Sequence, residues 1–407
     1  MTPFGTSDDV VFLAALCAAL LLLVAGIVER RRHRARLGAV EVRVAVNGSR
    51  GKSTVVRLAT GALDAGGFRT LGKTTGSEPR LLRAWEGEEE PIHRRPEGPN
   101  VGEQLGVVRR AADLGADALV AEVMAINPDY QRSFVDELTA ANVLVVTNVL
   151  GDHLEEMGPT TADVAAAFGD AMPDRGTVVI APGPHADALR SAARARGNTV
   201  VTADPEAVDP AVLRGFEHLV FAEHVALVLA LADVLGIPAD AALLGMRAAP
   251  VDPLATRLLP VGDPERPALF VNAFGANDPT SSLAVWQHVL DRGHASDGLV
   301  TIMNCRGDRI GRTRQFVEEV LGHLPIDTLV VTGSATQPVL RAVEHGDLRV
   351  HEVRDYTDLA PNRVVEALLP LLTDRVLLGV GNLHGGGVEI VRGLEQHAVG
   401  QRAGTSG

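Results

Sequence analysis

From Val10 to Val28 the chain passes through 19 positions without a charge, and after that its apolar residues come only in short bursts. As one α-helix the first stretch spans about 28 Å, close to the roughly 30 Å hydrocarbon core of a bilayer. Asp8 and Asp9 precede it, whereas Glu29 and then Arg30, Arg31, Arg32, Arg34 and Arg36 follow it. A cleaved signal peptide carries its positive charge before the apolar run, the reverse of this order. The positive-inside rule therefore predicts a single-pass membrane anchor. Residues 1–9 lie outside, 10–28 span, 29–40 form a basic juxtamembrane linker, and everything beyond is cytoplasmic.

The later bursts have the length of strands. EVRVAV (41–46), ADALVAEV (116–123), ANVLVVTNV (141–149), TVVIA (177–181) and NTVVTA (198–203) alternate with helical stretches. That order predicts an α/β domain with a mostly parallel sheet over 41–255. The segment from Arg83 to Gln104, rich in Pro, Gly and charge, reads as an exposed loop. Prolines concentrate again near 250–268. Beyond them ALFVNAF, GLVTIMN, DTLVVTG and DRVLLGVG predict a smaller Rossmann-like α/β domain over 256–400, with 401–407 a flexible tail. No internal repeat is visible.

Composition narrows the class. With 46% apolar and 22% charged residues the chain is a folded protein with an ample core. A net charge of −13 with no basic tract beyond the membrane flank argues against nucleic acid as a partner. Cys17 and Cys305 imply neither a disulfide framework nor a metal cluster. Among 38 basic residues only Lys52 and Lys73 are lysines, and both sit in Gly/Thr/Ser-rich loops. A compact ammonium there suits a phosphate or substrate contact that a planar guanidinium fits less well.

Lys52 belongs to NGSRGKSTVVRL (47–58), a strand-loop-helix passage of the kind that binds phosphate. The common G-x-x-x-x-G-K-[ST] pattern would want glycine at Val46; here the first glycine is Gly48, four positions before the lysine. Backbone N–H groups of Gly48, Ser49, Arg50 and Gly51 can cradle phosphate oxygens. Lys52 neutralises them, Ser53 offers a hydroxyl to Mg²⁺, and Thr54 continues the helix. The next loop, GKTTGSEPRLL (72–82), can add a hydroxyl from Thr75 or Ser77. Glu122 ends the apolar strand ALVAE, and a lone acid there needs a partner, for which a metal ion at the carboxyl end of an open sheet is natural. TNVLGDHLEEMG (147–158), in which Asn148, Asp152 and His153 follow a strand, resembles a segment of the Mur ligases, and the resemblance implies Asn148 facing nucleotide and His153 a metal. The metal candidates are thus Ser53, Thr75, Glu122 and His153.

The loop spacing resembles the G-T-x-G-K-[ST]-T of Mur ligases and folylpolyglutamate synthetases, and TNVLGDHLEEMG resembles the Mur N-x-x-x-D-H-L-D segment, with Glu155 for its last Asp. In the second domain Arg257 resembles the interdomain arginine of Mur ligases that reaches the γ-phosphate. Asn277 and Asp278 of VNAFGANDPTSS stand where those ligases have His-Asn. MNCRGDRIGRT (303–313) and GVGNLHGGG (379–387) resemble two further Mur segments. Together with EGPNVGEQ and AEVMAINPDYQ, these passages closely resemble the poly-γ-glutamate synthase subunit family PgsB/CapB over essentially the whole chain.

The resemblance implies an ATP-dependent amide ligase that polymerises glutamate through its γ-carboxyl group by way of an acyl phosphate. It implies Mg²⁺ as the metal, with Mn²⁺ as a substitute. Lys52, Glu122, His153 and Arg257 would be the catalytic residues, and Lys73, Arg306, Arg309 and His384 the substrate contacts. The partners it implies are glutamate and the growing chain, a small multipass membrane subunit and a further membrane-associated subunit; homo-oligomerisation stays open. One departure concerns the metals: no lysine follows Lys73, so the carbamylated lysine of many Mur ligases has no counterpart. Three other readings stay open: a Mur- or folylpolyglutamate-type ligase with another acid acceptor, a membrane-anchored P-loop regulator of capsule export, and a nucleotide-binding scaffold without turnover.

Overall fold

The computed structural model describes residues 7–75, 79–93, 100–151, 153–216, 218–252, 258–276, 278–291 and 298–399. They fall into two compact units, one of residues up to 215 with 220–250, the other of 216–219 with the chain from 251 onward.

The first unit is built on eight strands: β1 (Val42–Asn47), β2 (Thr70–Lys73), β3 (Arg80–Arg83), β4 (Glu88–Pro91), β5 (Ala118–Glu122), β6 (Val143–Val146), β7 (Thr177–Ile180) and β8 (Thr199–Thr202). Their order is β4-β3-β2-β5-β1-β6-β7-β8. The six from β2 to β8 in that row run parallel, and β3 and β4 add an antiparallel hairpin at one edge. Parallel strands covered by helices on both faces must be apolar on both. Val44, Ala45 and Val46 of β1 and Val120 and Ala121 of β5 are accordingly almost fully buried.

The hairpin corrects the reading of 83–104 as a loop. Glutamates disfavour strands, so EGEEEP carries no strand signal of its own. In the fold those acids face arginines: Arg57 lies 2.7 Å from Glu89, Arg83 2.6 Å from Glu88, and Arg110 3.4 Å from Glu90. Charge pairing across and behind the strands replaces the missing propensity. The same stretch ends in a helix, Glu103–Asp113.

The apolar N-terminal stretch lies in a helix, Ser7–Ala39, that continues unbroken through the arginine-rich segment. Among the described residues it is the one helix long and apolar enough to cross a membrane, with mean hydropathy 3.0. Its end is not a free tether. His33 and Leu37 are buried, as is Val40 just beyond the helix, and the His33 Nε2–H donates to the Leu138 carbonyl at 3.0 Å. Leu37 and Val40 share a core with Val107, Val108 and Ala111 of the helix Glu103–Asp113.

The second unit has six strands, β9 (Leu258–Val261), β10 (Ala268–Asn272), β11 (Leu299–Cys305), β12 (Ile326–Gly333), β13 (Glu352–Thr357) and β14 (Val376–Gly381). Their order is β13-β12-β11-β14-β10-β9, all parallel except β9. Both units therefore present a row of strand carboxyl ends, where open α/β sheets hold their ligands.

Candidate active site

β1 ends at Asn47, and the chain turns through 48–51 into the helix Lys52–Ala65. Two glycines make the turn possible. Gly48 has φ +126° and a Cβ there would stand 2.2 Å from Thr147 Oγ1; Gly51 has φ +78° and a Cβ would stand 2.3 Å from His224 Nε2. Neither position accepts a side chain in this arrangement.

Side chains from neighbouring strand ends hold the loop. Asn47 Oδ1 accepts the Gly48 N–H at 2.8 Å, and Asn148 Oδ1 accepts the Arg50 N–H at 2.9 Å. Thr147 Oγ1–H donates to the Arg50 carbonyl at 2.6 Å, and Ser49 Oγ accepts the Leu150 N–H at 2.9 Å. Lys52 arches over the loop, its Nζ 2.6 Å from the Gly48 carbonyl. The loop is thus shaped by fixed dipoles before any ligand arrives, the condition for cheap electrostatic stabilisation.

Beside it lies Glu122, only 4% exposed at the end of β5. Its Oε2 accepts the Ser53 hydroxyl at 2.8 Å and the Thr75 backbone N–H at 2.7 Å. The buried carboxylate is therefore partnered from two loops at once. A cavity of about 180 Å³ opens here, lined by Gly48, Ser49, Lys52, Thr75, Glu122 and His153 among others. His153 sits at φ +52°, a left-handed conformation uncommon outside glycine, as it starts the short helix Leu154–Met157.

No group of three His, Cys, Asp or Glu side chains among the described residues is close enough to hold a metal. One carboxylate and one hydroxyl in contact are nonetheless the donor set that fits Mg²⁺, which binds few protein oxygens and completes its shell with water and phosphate.

Lys73 ends β2 fully buried, its Nζ 3.1 Å from Glu103 Oε1 and 3.7 Å from Met124 Sδ. Arg306, Arg309 and His384 belong to the second unit, where β11 and β14 end side by side. Arg306 forms a two-pronged pair with Asp308 at 3.0 and 2.8 Å, and Arg309 lies 4.0 Å from the same carboxylate. The exposed His384 offers its carbonyl to Asn304 Nδ2 at 3.2 Å. Asp278 begins the helix Pro279–Asp291, accepting the Ser281 N–H at 2.9 Å. Ser77, Asp152, Arg257 and Asn277 lie outside the described residues.

Three residues absent from the sequence reading join the first site. Gln131 is buried, lines the cavity and accepts from Asn47 Nδ2 at 2.8 Å. Thr147 and His224 press on the two loop glycines. Thr147, next to Asn148, and Gln131, the last residue of AEVMAINPDYQ, lay in passages that carry the resemblance; His224 arrives from the helix Ala222–Val234, which has no such passage.

Residues 46–221 match the Mur ligase middle domain, and residues 258–397 match the poly-gamma-glutamate synthase CapB C-terminal domain. The PGA synthase CapB of Bacillus subtilis is 41% identical over 386 residues, covering 95% of this chain and 98% of that protein. This chain belongs to the poly-γ-glutamate synthase CapB family. The capsule biosynthesis protein CapB of Bacillus anthracis is 39% identical over 394 residues, covering 97% of this chain and 85% of that one. Among solved structures, a bifunctional folylpolyglutamate synthase/dihydrofolate synthase of Yersinia pestis, complexed with AMPPNP and Mn, has a TM-score of 0.62. It is 14% identical and covers 89% of this chain and 92% of that one, a likeness of fold. This chain shares with that enzyme an α/β fold of mostly parallel sheets.

Proposed function

We propose that the enzyme is an ATP-dependent amide ligase that lengthens poly-γ-glutamate, with its phosphoryl-transfer centre at the Ser53–Glu122 pair. The observation that carries this is the contact of a buried carboxylate with the first helical hydroxyl of a preformed phosphate loop, in a chain of the CapB family.

A carboxylate is a poor electrophile, so the terminal γ-carboxylate of the acceptor takes the γ-phosphoryl group, and the bond to the β-phosphate breaks. The Gly48, Ser49 and Arg50 N–H groups already have acceptors in Asn47 and Asn148, which corrects the reading of these residues as direct phosphate donors. They shape the turn; phosphate binding is assigned to the N–H groups from Gly51 to Thr54 at the helix start, and the Lys52 ammonium balances the charge that spreads over the moving group. Asn148, Asn277 and Asp278 are assigned to the nucleotide and Arg257 to the γ-phosphate. Ser53 and Glu122, with Thr75 and His153 nearby, would hold a divalent ion, assigned as Mg²⁺ with Mn²⁺ as a substitute, which would supply Lewis-acid charge to the phosphoryl transfer. The amine of the next glutamate then attacks the acyl carbon, the C–N bond forms, phosphate departs and the amine loses a proton. Arg306 and Arg309 suit a substrate carboxylate bidentately, with His384 beside them and Lys73 toward the acceptor.

The helix Ser7–Ala39 is assigned as a membrane anchor through 10–28, with 1–9 outside, the basic 29–40 at the inner surface and the catalytic segments 41–255 and 256–400 in the cytoplasm. Burial of His33 and Leu37 in the first unit favours a helix retained in the working enzyme over a cleaved leader. Work beside an exporter suits a polyanionic product, and a small multipass subunit with a further membrane-associated subunit are the assigned partners.

Membranes carrying the full chain and its partner subunits, given ATP, Mg²⁺ and labelled glutamate, test the reading. Phosphate release that depends on glutamate and yields γ-linked product, both lost in Lys52→Ala, is the expected result. Nucleotide turnover indifferent to glutamate would move the assignment to another acceptor.

A further inference from the structure

Five arginines stand just beyond the apolar stretch, and the fold gives none of them a partner. Among the described residues no side-chain hydrogen bond or ion pair engages the guanidinium groups of Arg30, Arg31, Arg32, Arg34 or Arg36, in a chain whose net charge is −13. Four are exposed and Arg36 is partly so.

Helical geometry distributes them. At about 100° per residue the five cover roughly 240° of the helix circumference, and His33 and Leu37 fall in the remaining sector. Those two are the buried pair that docks the helix on the first unit. The helix therefore has one face committed to protein and a collar of guanidinium groups around the rest.

Height matters as well. Arg30 to Arg34 lie about 3 to 9 Å past Val28 along an unbroken helix. A headgroup layer occupies about that depth, half the difference between a roughly 30 Å core and a 40–45 Å whole bilayer. His33 docks within the same layer, so the first unit is held close against the surface by a rigid helix.

We infer that the collar is a binding site for anionic lipid headgroups. The inference rests on the assignment of this helix as a membrane span. Guanidinium groups pair bidentately with phosphate, and basic residues at the inner face of a span attract acidic lipid. A polyanionic product strand would call for a groove or a one-sided stripe. A ring at one height suits a surface that the helix passes through.

The test uses the full-length enzyme in phosphatidylcholine vesicles doped with spin-labelled phosphatidylglycerol or spin-labelled phosphatidylcholine. The lipid fraction immobilised at the protein should favour phosphatidylglycerol by about fivefold or more, the worth of one surface arginine. The variant R30Q/R31Q/R32Q/R34Q should lose that preference while keeping the wild-type melting temperature. Equal immobilisation of both lipids by the wild type would overturn the inference, as would a preference that survives in the variant. So would collar-dependent binding of fluorescent poly-γ-glutamate without any lipid preference. Release of the protein by alkaline carbonate would instead overturn the spanning helix itself, whereas retention without lipid selectivity overturns the collar alone.

Discussion

Each unit carries a glycine-rich turn from a parallel strand into a helix, and the two turns are built differently. After β1, Gly48 and Gly51 are hemmed in by Thr147 and His224, and a buried carboxylate stands beside the helix start. After β14, Gly385, Gly386 and Gly387 lead into the helix Gly387–Glu395, and the nearest atom to a Cβ at Gly386 is a Pro361 carbon at 3.5 Å. Buried amides tie that region: Asn304 Nδ2 donates to the Asn382 carbonyl at 2.6 Å and the Arg312 guanidinium donates to Asn382 Oδ1 at 3.2 Å, while the Arg306 and Arg309 side chains lie nearer solvent. The first turn is fixed in advance by packing and hydrogen bonds. The second is less closely packed and keeps its Arg306 and Arg309 side chains nearer the surface.

Alanine at matched glycines separates the two most sharply. Gly51→Ala suffers both a left-handed φ and a collision with His224, and should lower ATP turnover by ~100-fold or more, the range for lost preorganised donors. Gly386→Ala suffers the φ of +106° alone, a strain of about 1–2 kcal/mol, and should cost roughly 10-fold. Removing the obstacle in Gly51→Ala/His224→Ala should recover activity to the level set by strain. A double variant no better than Gly51→Ala would show that His224 is not what excludes the side chain.

Substitutions at the strand ends separate chemistry from binding. Glu122→Gln removes the charge while keeping an acceptor for Ser53; kcat should fall by ~10²-fold with little change in nucleotide affinity. Asn304→Ala unties the β11 and β14 loops, an effect of about 1–3 kcal/mol, and should raise the glutamate KM while leaving the nucleotide Kd unchanged. Steady-state kinetics with titrated nucleotide analogue distinguishes the two, and a joint fall in kcat for both would erase the contrast.

What the sequence displayed of this arrangement follows from how local each signal is. The strand bursts, the turn at 47–54 and the acid ending ALVAE are complete within a few residues each, and all reappear in the fold. Asn148 was legible because it follows a strand end directly. Gln131 and His224 were not: a lone Gln on the short polar helix Pro128–Ser133 or a lone His on an apolar helix carries no mark of its role, and each matters only through a loop some 80 or more positions away in the chain. β3 and β4 were hidden for the opposite reason, since their local chemistry reads as loop and only the arginines facing them make a sheet edge. The helix Ser7–Ala39 ran past its expected end because burial of His33 and Leu37, not composition, decides where it stops being free.

Helix packing offers a milder version of the same contrast. In the first unit the helices Lys52–Ala65 and Ala239–Ala248 cross backbone to backbone: a Cβ at Gly245 would stand 2.1 Å from the Gly61 carbonyl. Gly245→Ala must push apart the helix that starts with Lys52, costing about 1–3 kcal/mol. In the second unit a Cβ at Gly393 would meet Val365 Cγ2 at 2.8 Å, a single side-chain methyl rather than backbone, so a small shift of one helix relieves it. Gly393→Ala should cost less than about 1 kcal/mol. Denaturant unfolding of the two variants compares them, and equal losses would mean that Val365 is locked as firmly as backbone.

The smallest effect expected is at Cys305, which ends β11 as Glu122 ends β5. Both side chains are buried, but the carboxylate has Ser53 and Thr75 to receive it, whereas burial pushes the Cys305 thiol up to about 12, only partly opposed by a hydrogen bond with Thr313. At pH 8 the group is therefore a neutral thiol, and neutral thiols are poor nucleophiles. Maleimide should leave Cys305 unmodified in the folded enzyme and react with it on unfolding, and Cys305→Ala should change kcat/KM for glutamate by less than about 2-fold, a surface-like effect for a group outside the chemistry. The sign with pH follows from the raised value: the folded state binds the proton more tightly than the unfolded one. Stability therefore declines as pH rises through the interval between the ordinary thiol range and about 12, and Cys305→Ala should flatten that decline. Rapid labelling at pH 8 in the folded enzyme would mean that this strand end, like that of β5, holds a charged group, and the division between a charged centre and a neutral, amide-tied edge would fail there.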